Sequence, residues 1–433
     1  MMKARKTKIS RKKATVKIGF SPLTDNEIIA REEKYGANHY GRLTTVVRKA
    51  KGAWLYTQDG RKVLDCLAAY SAANPGHNHP KIIKAAVKAL QGEHSSVVSN
   101  VVYTDLLGLF LERVANLAPQ LAPRFGRNGN KVLPKNGGVE SVETAIKLAR
   151  YFGYKHKGIP DGKQEIIVFD NNFHGRMVTV ISFSTSKKYK EGFGPLTPGF
   201  KSVPFGNLEA VKQAITPNTC GILVEPMQGE GGMYIPPDGF LKGLRQLCDE
   251  HDLLLLADEI QVGMGRTGKM FCFEHEKIVP DALILGKAIA GGLVPVSVLV
   301  TNSKLMDMTF SPGSDGSTFG GYPYACACAL AALDVIEGEK LPERSAKMGK
   351  ILKERIMEIA SRSRHVKEVR GKGLFIGVEV KSGDAMVFCR KLLELDMLAN
   401  DSHHHTIRIS PPLVVGEREI DYIVDRLEKV LID

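Results

Sequence analysis

No run of 18 or more apolar residues occurs in the 433-residue sequence, so no membrane-spanning helix is expected. No Cys-x-x-Cys pair occurs among Cys66, Cys220, Cys248, Cys272, Cys326, Cys328 and Cys389, and their number is odd. That argues against a disulfide framework or a cysteine zinc site and for a reducing compartment. Cys326 and Cys328 fall on an expected helix, where positions two apart do not face each other. His77 and His79 lack an evident third ligand, and the run His403 to His405 reads as a solvated loop, so no metal is expected. No internal repeat or low-complexity linker stands out. Acidic residues are missing from residues 1–24, which hold eight Lys or Arg of a chain with net charge +13. This tail reads as a solvated arm, with a targeting leader or a weak nucleic-acid contact as alternatives. It is Lys-rich and poor in apolar residues, unlike an amphipathic leader. The expected location is cytoplasmic, or the mitochondrial matrix if the tail is a leader.

What is present is ordinary for a globular chain: 43% hydrophobic and 25% charged residues. This length buries a large core and usually forms two or more domains. Short apolar runs at 164–169, 221–224, 253–258, 282–285 and around Ser297 read as strands, with helical patterns between them. Strand–helix alternation of this kind predicts an α/β fold with a mainly parallel, helix-covered sheet. Helices are expected at 27–35, 81–90, 105–117, 136–154, 324–337, 345–361, 385–395 and 417–431. Residues 68–80, rich in small side chains, read as a loop.

The run ending at Leu285 is followed one glycine later by Lys287, then by small residues. A lysine buried there loses affinity for its proton and becomes nucleophilic, able to form a Schiff base with a carbonyl. The run before it ends in Asp258. An amine and a carboxylate at two buried strand ends suit pyridoxal 5'-phosphate: the lysine holds the aldehyde carbon and the carboxylate pairs with the protonated ring nitrogen. Gln261 is placed to reach the ring oxygen. Asn136-Gly137-Gly138-Val139 opens a helix, whose N-terminal N–H groups suit a phosphate. Phe173 is a candidate to stack on a cofactor ring, and Arg176 to hold a carboxylate through a two-pronged pair. Ligands in such sheets sit at the carboxyl ends of the strands, where these residues lie.

The segments VEPMQGEGG, LLLLADEIQVGMGRTG, ILGKAIAGGLVP and GSTFGG, in this order and spacing, resemble those of the class III pyridoxal-phosphate aminotransferases. The likeness runs from about Tyr35 to the C-terminus. Within that class, YGANHY and AAYSAANPGHNHP are most similar to the ornithine aminotransferases. The resemblance implies a fold-type-I transferase of the aspartate-aminotransferase type. It would have a large domain (68–323) built on a seven-stranded, mainly parallel sheet. A smaller α+β domain (25–67 with 324–433) would follow the flexible tail (1–24). It implies a homodimer or dimer-based oligomer with the site at the subunit interface, where Thr318 reaches the phosphate of the neighbouring subunit.

By the same resemblance, Lys287 and Asp258 are catalytic, and Gly138, Val139, Phe173, Gln261 and Thr318 help bind the cofactor. Tyr40 and Arg176 match the pair that holds the α-carboxylate of ornithine, and Tyr70 a pocket tyrosine tied to ornithine preference. Arg408 matches the arginine for the glutamate carboxylate, and Glu230 the acid that masks it. The implied reaction moves the δ-amino group of L-ornithine to 2-oxoglutarate, giving glutamate semialdehyde, which cyclises to pyrroline-5-carboxylate. Three positions depart from the pattern: Gly137 where Thr or Ser is common, His174 where ornithine enzymes often carry Trp, and Tyr322 where Asn is frequent. The rival donors are 4-aminobutyrate, acetylornithine and lysine. An aminomutase needing no 2-oxo acid and a non-enzymatic binding protein are the readings from other classes.

Overall fold

A computed structural model describes residues 23–92 and 96–432. The expectation for the basic tail therefore lies almost wholly outside the described residues. Thr24, at its end, already belongs to the fold: it caps the helix Asp25–Tyr35 through a reciprocal box with Glu27.

Seven strands form the central sheet in the order Asn130–Lys135, Ser297–Asn302, Ala282–Leu285, Leu254–Asp258, Thr219–Val224, Glu165–Phe169 and Phe200–Val203. Only Ser297–Asn302 runs against its neighbours. The remaining adjacent pairs are parallel. Four inner strands, Ser297–Asn302, Ala282–Leu285, Leu254–Asp258 and Thr219–Val224, are wholly buried, which explains why they read as continuous apolar runs. Alternation still governs their faces. Leu255, Ile222 and Val224 join one core cluster with Phe240, Leu244 and Cys248 of the helix Phe240–Glu250. Leu254, Leu256 and Leu223 join another, with Val142, Ile146, Ala149 and Phe152 of the helix Gly138–Lys155. Each buried Leu, Val or Ile in these layers stabilises the sheet by about 1.5–3 kcal/mol.

Two four-stranded sheets complete the sheet structure of the described residues. One orders Val47–Lys51, Trp54–Thr57, Lys62–Asp65 and Met397–Leu398, so it joins the two ends of the chain. The other orders Val366–Lys372, Phe375–Val380, Thr406–Ile409 and Asn400–Ser402. The long helices Pro323–Gly338 and Leu341–Arg362 lead into it, and Glu417–Leu431 closes the chain with Ile420, Ile423, Val424, Leu427, Val430 and Leu431 buried along one stripe. No described helix is long and apolar enough to cross a membrane. All seven cysteines are buried and free.

The expected loop at 68–80 is the main local departure. Ala68, Ala69, Tyr70 and Ser71 form a turn with φ of 47°, 46°, 56° and 77°. The two histidines each take a separate partner: His77 bonds Asp65 and His79 faces Glu339.

Candidate active site

A cavity of about 200 Å³ opens at the carboxyl ends of the parallel strands, lined by Gly138, Val139, Phe173, Asp258, Gln261 and Lys287 among others. Each comes from a strand end, the loop after one or, for Gly138 and Val139, the start of the helix that follows a strand. Asp258 closes Leu254–Asp258, and Lys287 follows Ala282–Leu285 by one glycine in a short turn with φ of 45°. Strand alternation turns the next residue away: Glu259 is buried behind the site, accepting the N–H groups of Cys272 (2.8 Å) and Phe273 (2.9 Å). Its carboxyl is pushed up to about 8, chiefly by burial.

Burial pushes the Lys287 amine below its ordinary pKa, against the charges of Asp258, Glu230 and Glu225. That is the direction a nucleophilic lysine requires. Asp258 is held from two sides, by the Ile260 N–H (3.1 Å) and by Nδ1 of His174 (2.6 Å). Burial alone would lower the His174 pKa, but the bond to Asp258 and the charges of Asp258 and Glu225 outweigh it and raise it. This bond gives the His174 departure a physical role: it fixes the carboxylate.

The cavity wall at the helix start is built for close approach. A Cβ on Gly138 would meet Ile260 Cδ1 at 2.9 Å, and one on Gly175 would meet Val139 Cγ2 at 2.5 Å. Glu140 takes the N–H of Asn136 (3.2 Å) and of Gly137. Gly137 has an ordinary extended backbone (φ −75°, ψ 142°), so its lack of a side chain is not forced by conformation. Tyr322 precedes the helix Pro323–Gly338 without a side-chain cap bond and packs edge-on with Phe319 (5.4 Å between ring centroids), which accounts for an aromatic there.

Beyond the cavity lies a second constellation. Arg408, fully buried on Thr406–Ile409, donates to Glu230 (2.8 Å) and to Oε1 of Gln261 (3.2 Å). Gln261 in turn donates to the same Glu230 oxygen (3.3 Å). Its amide thus bridges the pair while its body lines the cavity. Burial would raise the Glu230 pKa, but the Arg408 charge and hydrogen bond win and lower it. Ser402 anchors the loop by donating to the carbonyls of Gly229 (2.9 Å) and Glu230 (3.0 Å). The Tyr70 ring lies 5.2 Å from the Arg408 guanidinium.

Tyr40 and Arg176 come together at the mouth, 6.0 Å from guanidinium to ring, with both side chains exposed. Tyr189 joins them at 4.6 Å. Thr318 stands on an exposed loop and does not line the cavity of its own chain. Sequence reasoning gave no site role to Glu225, Tyr189 or Asn400. Glu225 follows Thr219–Val224 as directly as Asp258 closes its strand, so the same strand-end rule marks it. It accepts the N–H of Phe173 (3.0 Å) and of Gly229 (3.4 Å), and burial pushes it up to about 7.

A buried amine and carboxylate facing one cavity of an α/β transferase fold define a pyridoxal-phosphate enzyme of the aminotransferase kind. The chain belongs to the class-III aminotransferases, whose family model matches residues 35–431. It is 46% identical over 406 residues to an ornithine aminotransferase of Brevibacillus brevis, covering 94% of this chain and 98% of that one. Against an ornithine aminotransferase of Geobacillus the identity is 47% over 404 residues, covering 93% and 98%. Among solved structures, the ornithine aminotransferase of Toxoplasma gondii superposes with a TM-score of 0.90 at 33% identity, covering 94% of each chain. Acetylornithine aminotransferase of Elizabethkingia anophelis gives 0.84 at 38% identity, covering 95% and 100%.

The residues present fit pyridoxal phosphate. A fixed carboxylate, a buried amine and an aromatic ring face one cavity, and the side-chain-free Gly138 leaves its helix start open to a phosphate.

Proposed function

We propose that the protein transfers the δ-amino group of L-ornithine to 2-oxoglutarate, yielding glutamate semialdehyde, which cyclises to pyrroline-5-carboxylate, and glutamate. The observation that carries the choice of donor is the Glu230–Arg408 pair closing the pocket beside Tyr70.

When bound, pyridoxal phosphate supplies the aldehyde that receives the amino group and the ring that draws off electron density. Asp258, braced by His174 and the Ile260 N–H, holds the ring-nitrogen proton. Gly138, Val139 and Phe173 bind and orient, with Gln261 at the junction of cavity and gate. Lys287 Nζ would take the proton from the substrate carbon that bears the amine and deliver it to the carbon that was the cofactor's aldehyde, not back to the carbon it left. Tyr40 and Arg176 hold the ornithine α-carboxylate at the mouth, so the δ-amine points inward. Glu230 cancels the Arg408 charge while ornithine is bound; an unpaired guanidinium would draw the carboxylate inward and present the wrong amine. 2-Oxoglutarate, with a second carboxylate, then engages Arg408 once Glu230 swings aside, and leaves as glutamate.

The division into a large unit (68–323) and a small unit (25–67 with 324–433) belongs to this reading, as does a homodimer. Val101, Tyr103 and Phe319 are exposed next to the Thr318 loop, where Asn100 donates to the Ser317 carbonyl (2.8 Å). An apolar face of that kind beside Thr318 suits a second copy whose phosphate site Thr318 completes. The bacterial relatives and the free, buried cysteines favour a reducing, cytoplasmic location.

The test is turnover with 2-oxoglutarate and, separately, L-ornithine, 4-aminobutyrate, N-acetylornithine and L-lysine, with the cyclic imine from ornithine trapped as a coloured adduct. Ornithine should exceed every other donor; a preference for another donor overturns the assignment, and turnover without a 2-oxo acid would indicate an aminomutase.

Glu230→Ala gives a further expectation. Freed of its partner, Arg408 should favour donors with an α-amino group, shifting the glutamate-to-ornithine ratio by roughly tenfold, the scale of one charge-assisted hydrogen bond. An unchanged ratio of kcat/KM would remove Glu230 from the gate.

A further inference from the structure

Ala68 to Ser71 are four consecutive residues with left-handed backbone, and none is glycine. Left-handed backbone brings Cβ too close to the following carbonyl oxygen, so residues with side chains visit it singly rather than in runs. A run persists only where its surroundings over-determine it, and such strain gathers at functional sites.

The surroundings here centre on one buried carboxylate. Asp65 is 3% exposed and ends the strand Lys62–Asp65. Its Oδ1 accepts the N–H of Leu67 (2.8 Å) and of Ala68 (3.0 Å), the two donors that enter the turn. Its Oδ2 bonds His77 Nε2 at 2.7 Å. His77 is itself tied by its backbone to Gly52 in both directions, N–H to carbonyl at 2.8 and 3.0 Å. The far end of the turn is held separately. Asn74 donates to the Met264 carbonyl (3.0 Å), and its own carbonyl accepts the Leu413 N–H (2.9 Å).

The turn has two consequences for the site. It carries Tyr70 over the Arg408 guanidinium, with the Tyr70 hydroxyl 3.5 Å from Asn400 Nδ2. Its trailing residues also press on the Lys287 loop: a Cβ on Gly292 would meet the Ala72 carbonyl oxygen at 3.2 Å. A right-handed backbone at 68–71 would turn the Tyr70 ring away from Arg408.

We infer that Asp65, oriented by His77, is a positioning residue for amino-donor selectivity, acting by holding Ala68–Ser71 left-handed so that Tyr70 stays over Arg408. This rests on the reading of Tyr70 and Arg408 as the donor pocket. Asp65 touches neither substrate nor cofactor; it acts through the backbone of Leu67 and Ala68.

The experiment is a double-mutant cycle on the holoenzyme with Asp65→Ala, Tyr70→Ile and both together, measuring kcat/KM for ornithine and for 4-aminobutyrate. Each single change should lower the ornithine-to-4-aminobutyrate ratio by roughly tenfold, and the double change should lower it no further than the stronger single one. Losses that multiply independently overturn the inference. Asp65→Asn keeps an Oδ1 for both N–H groups and should rescue most of the ratio that Asp65→Ala loses; failure to rescue counts against the two backbone bonds as the cause. The absorbance of the bound cofactor should survive Asp65→Ala, because a general collapse of the site would abolish it and overturn a positioning role. Should Asp65→Ala not fold, Ala69→Gly reads the same strain. Glycine accepts positive φ freely, so Tm should rise by a few degrees, and a fall would refute the strained turn. If the wild-type enzyme prefers another donor, the functional assignment fails, but the cycle run on that donor still reads whether Asp65 acts through Tyr70.

Discussion

Lys287→Ala should reduce turnover of every amino donor by roughly 10⁴-fold, since it removes the group proposed above as both nucleophile and proton carrier. Few other groups are placed to replace it. Within the cavity, His174 is committed to Asp258 and Glu225 to the backbone of Phe173 and Gly229. The loss should fall on kcat far more than on KM, because Tyr40, Arg176 and Tyr70, proposed above to hold the substrate, stay in place. The protein should still fold, as the Ala282–Leu285 strand does not depend on the amine. Removing Lys287 also removes a buried amine whose charge the burial disfavours, while the Cβ that alanine keeps leaves the backbone (φ 45°) as it was. A Tm at or above that of the wild type is therefore expected beside the lost activity, measured by thermal unfolding and steady-state assay. Retention of more than about a hundredth of the activity would move the proton-transfer role to another residue.

The two chemical anchors were legible because they obey a local rule. Asp258 and Lys287 each end or follow an apolar run, and a charged group there stands at the carboxyl edge of a buried sheet. The closing helix Glu417–Leu431 was legible for the same kind of reason, an uninterrupted helical period. The turn at Ala68–Ser71 was not, because its geometry comes from Asp65, His77 and Asn74 rather than from glycines within it. The strand Val366–Lys372 was missed because its Val-Lys-Glu-Val-Arg-Gly-Lys sequence hides a buried cation. Arg370 is 5% exposed and donates to Glu379 (2.6 Å), a pairing invisible along the chain. Asn400–Ser402 was given no element from the sequence, yet it forms the sheet edge that brings Ser402 to Glu230. Long-range polar partners thus account for most of what a linear reading could not reach, including the bridge from Gln261 to Arg408.

Asp258→Asn should lower kcat by about 10³-fold, since a neutral amide cannot hold a proton on the ring nitrogen as a carboxylate does. Its second effect is specific to this chain's His174. The amide keeps an oxygen for the Ile260 N–H, but its NH₂ then faces His174 Nδ1, which must accept and so become neutral. In the wild type the raised His174 pKa contributes stability. That contribution is complete below the ordinary histidine value of about 6.5 and is lost as pH rises through the higher folded-state value. The variant lacks it. The wild-type advantage in urea midpoint should thus be larger at about pH 6 than at about pH 9. Glu225 faces the same pair, but losing the Asp258 charge lowers its pKa while losing the His174 charge raises it, so its two responses oppose. An equal midpoint difference at both pH values would show that His174 is neutral beside Asp258. The carboxylate would then be braced by a hydrogen bond alone, and only the fall in kcat would survive.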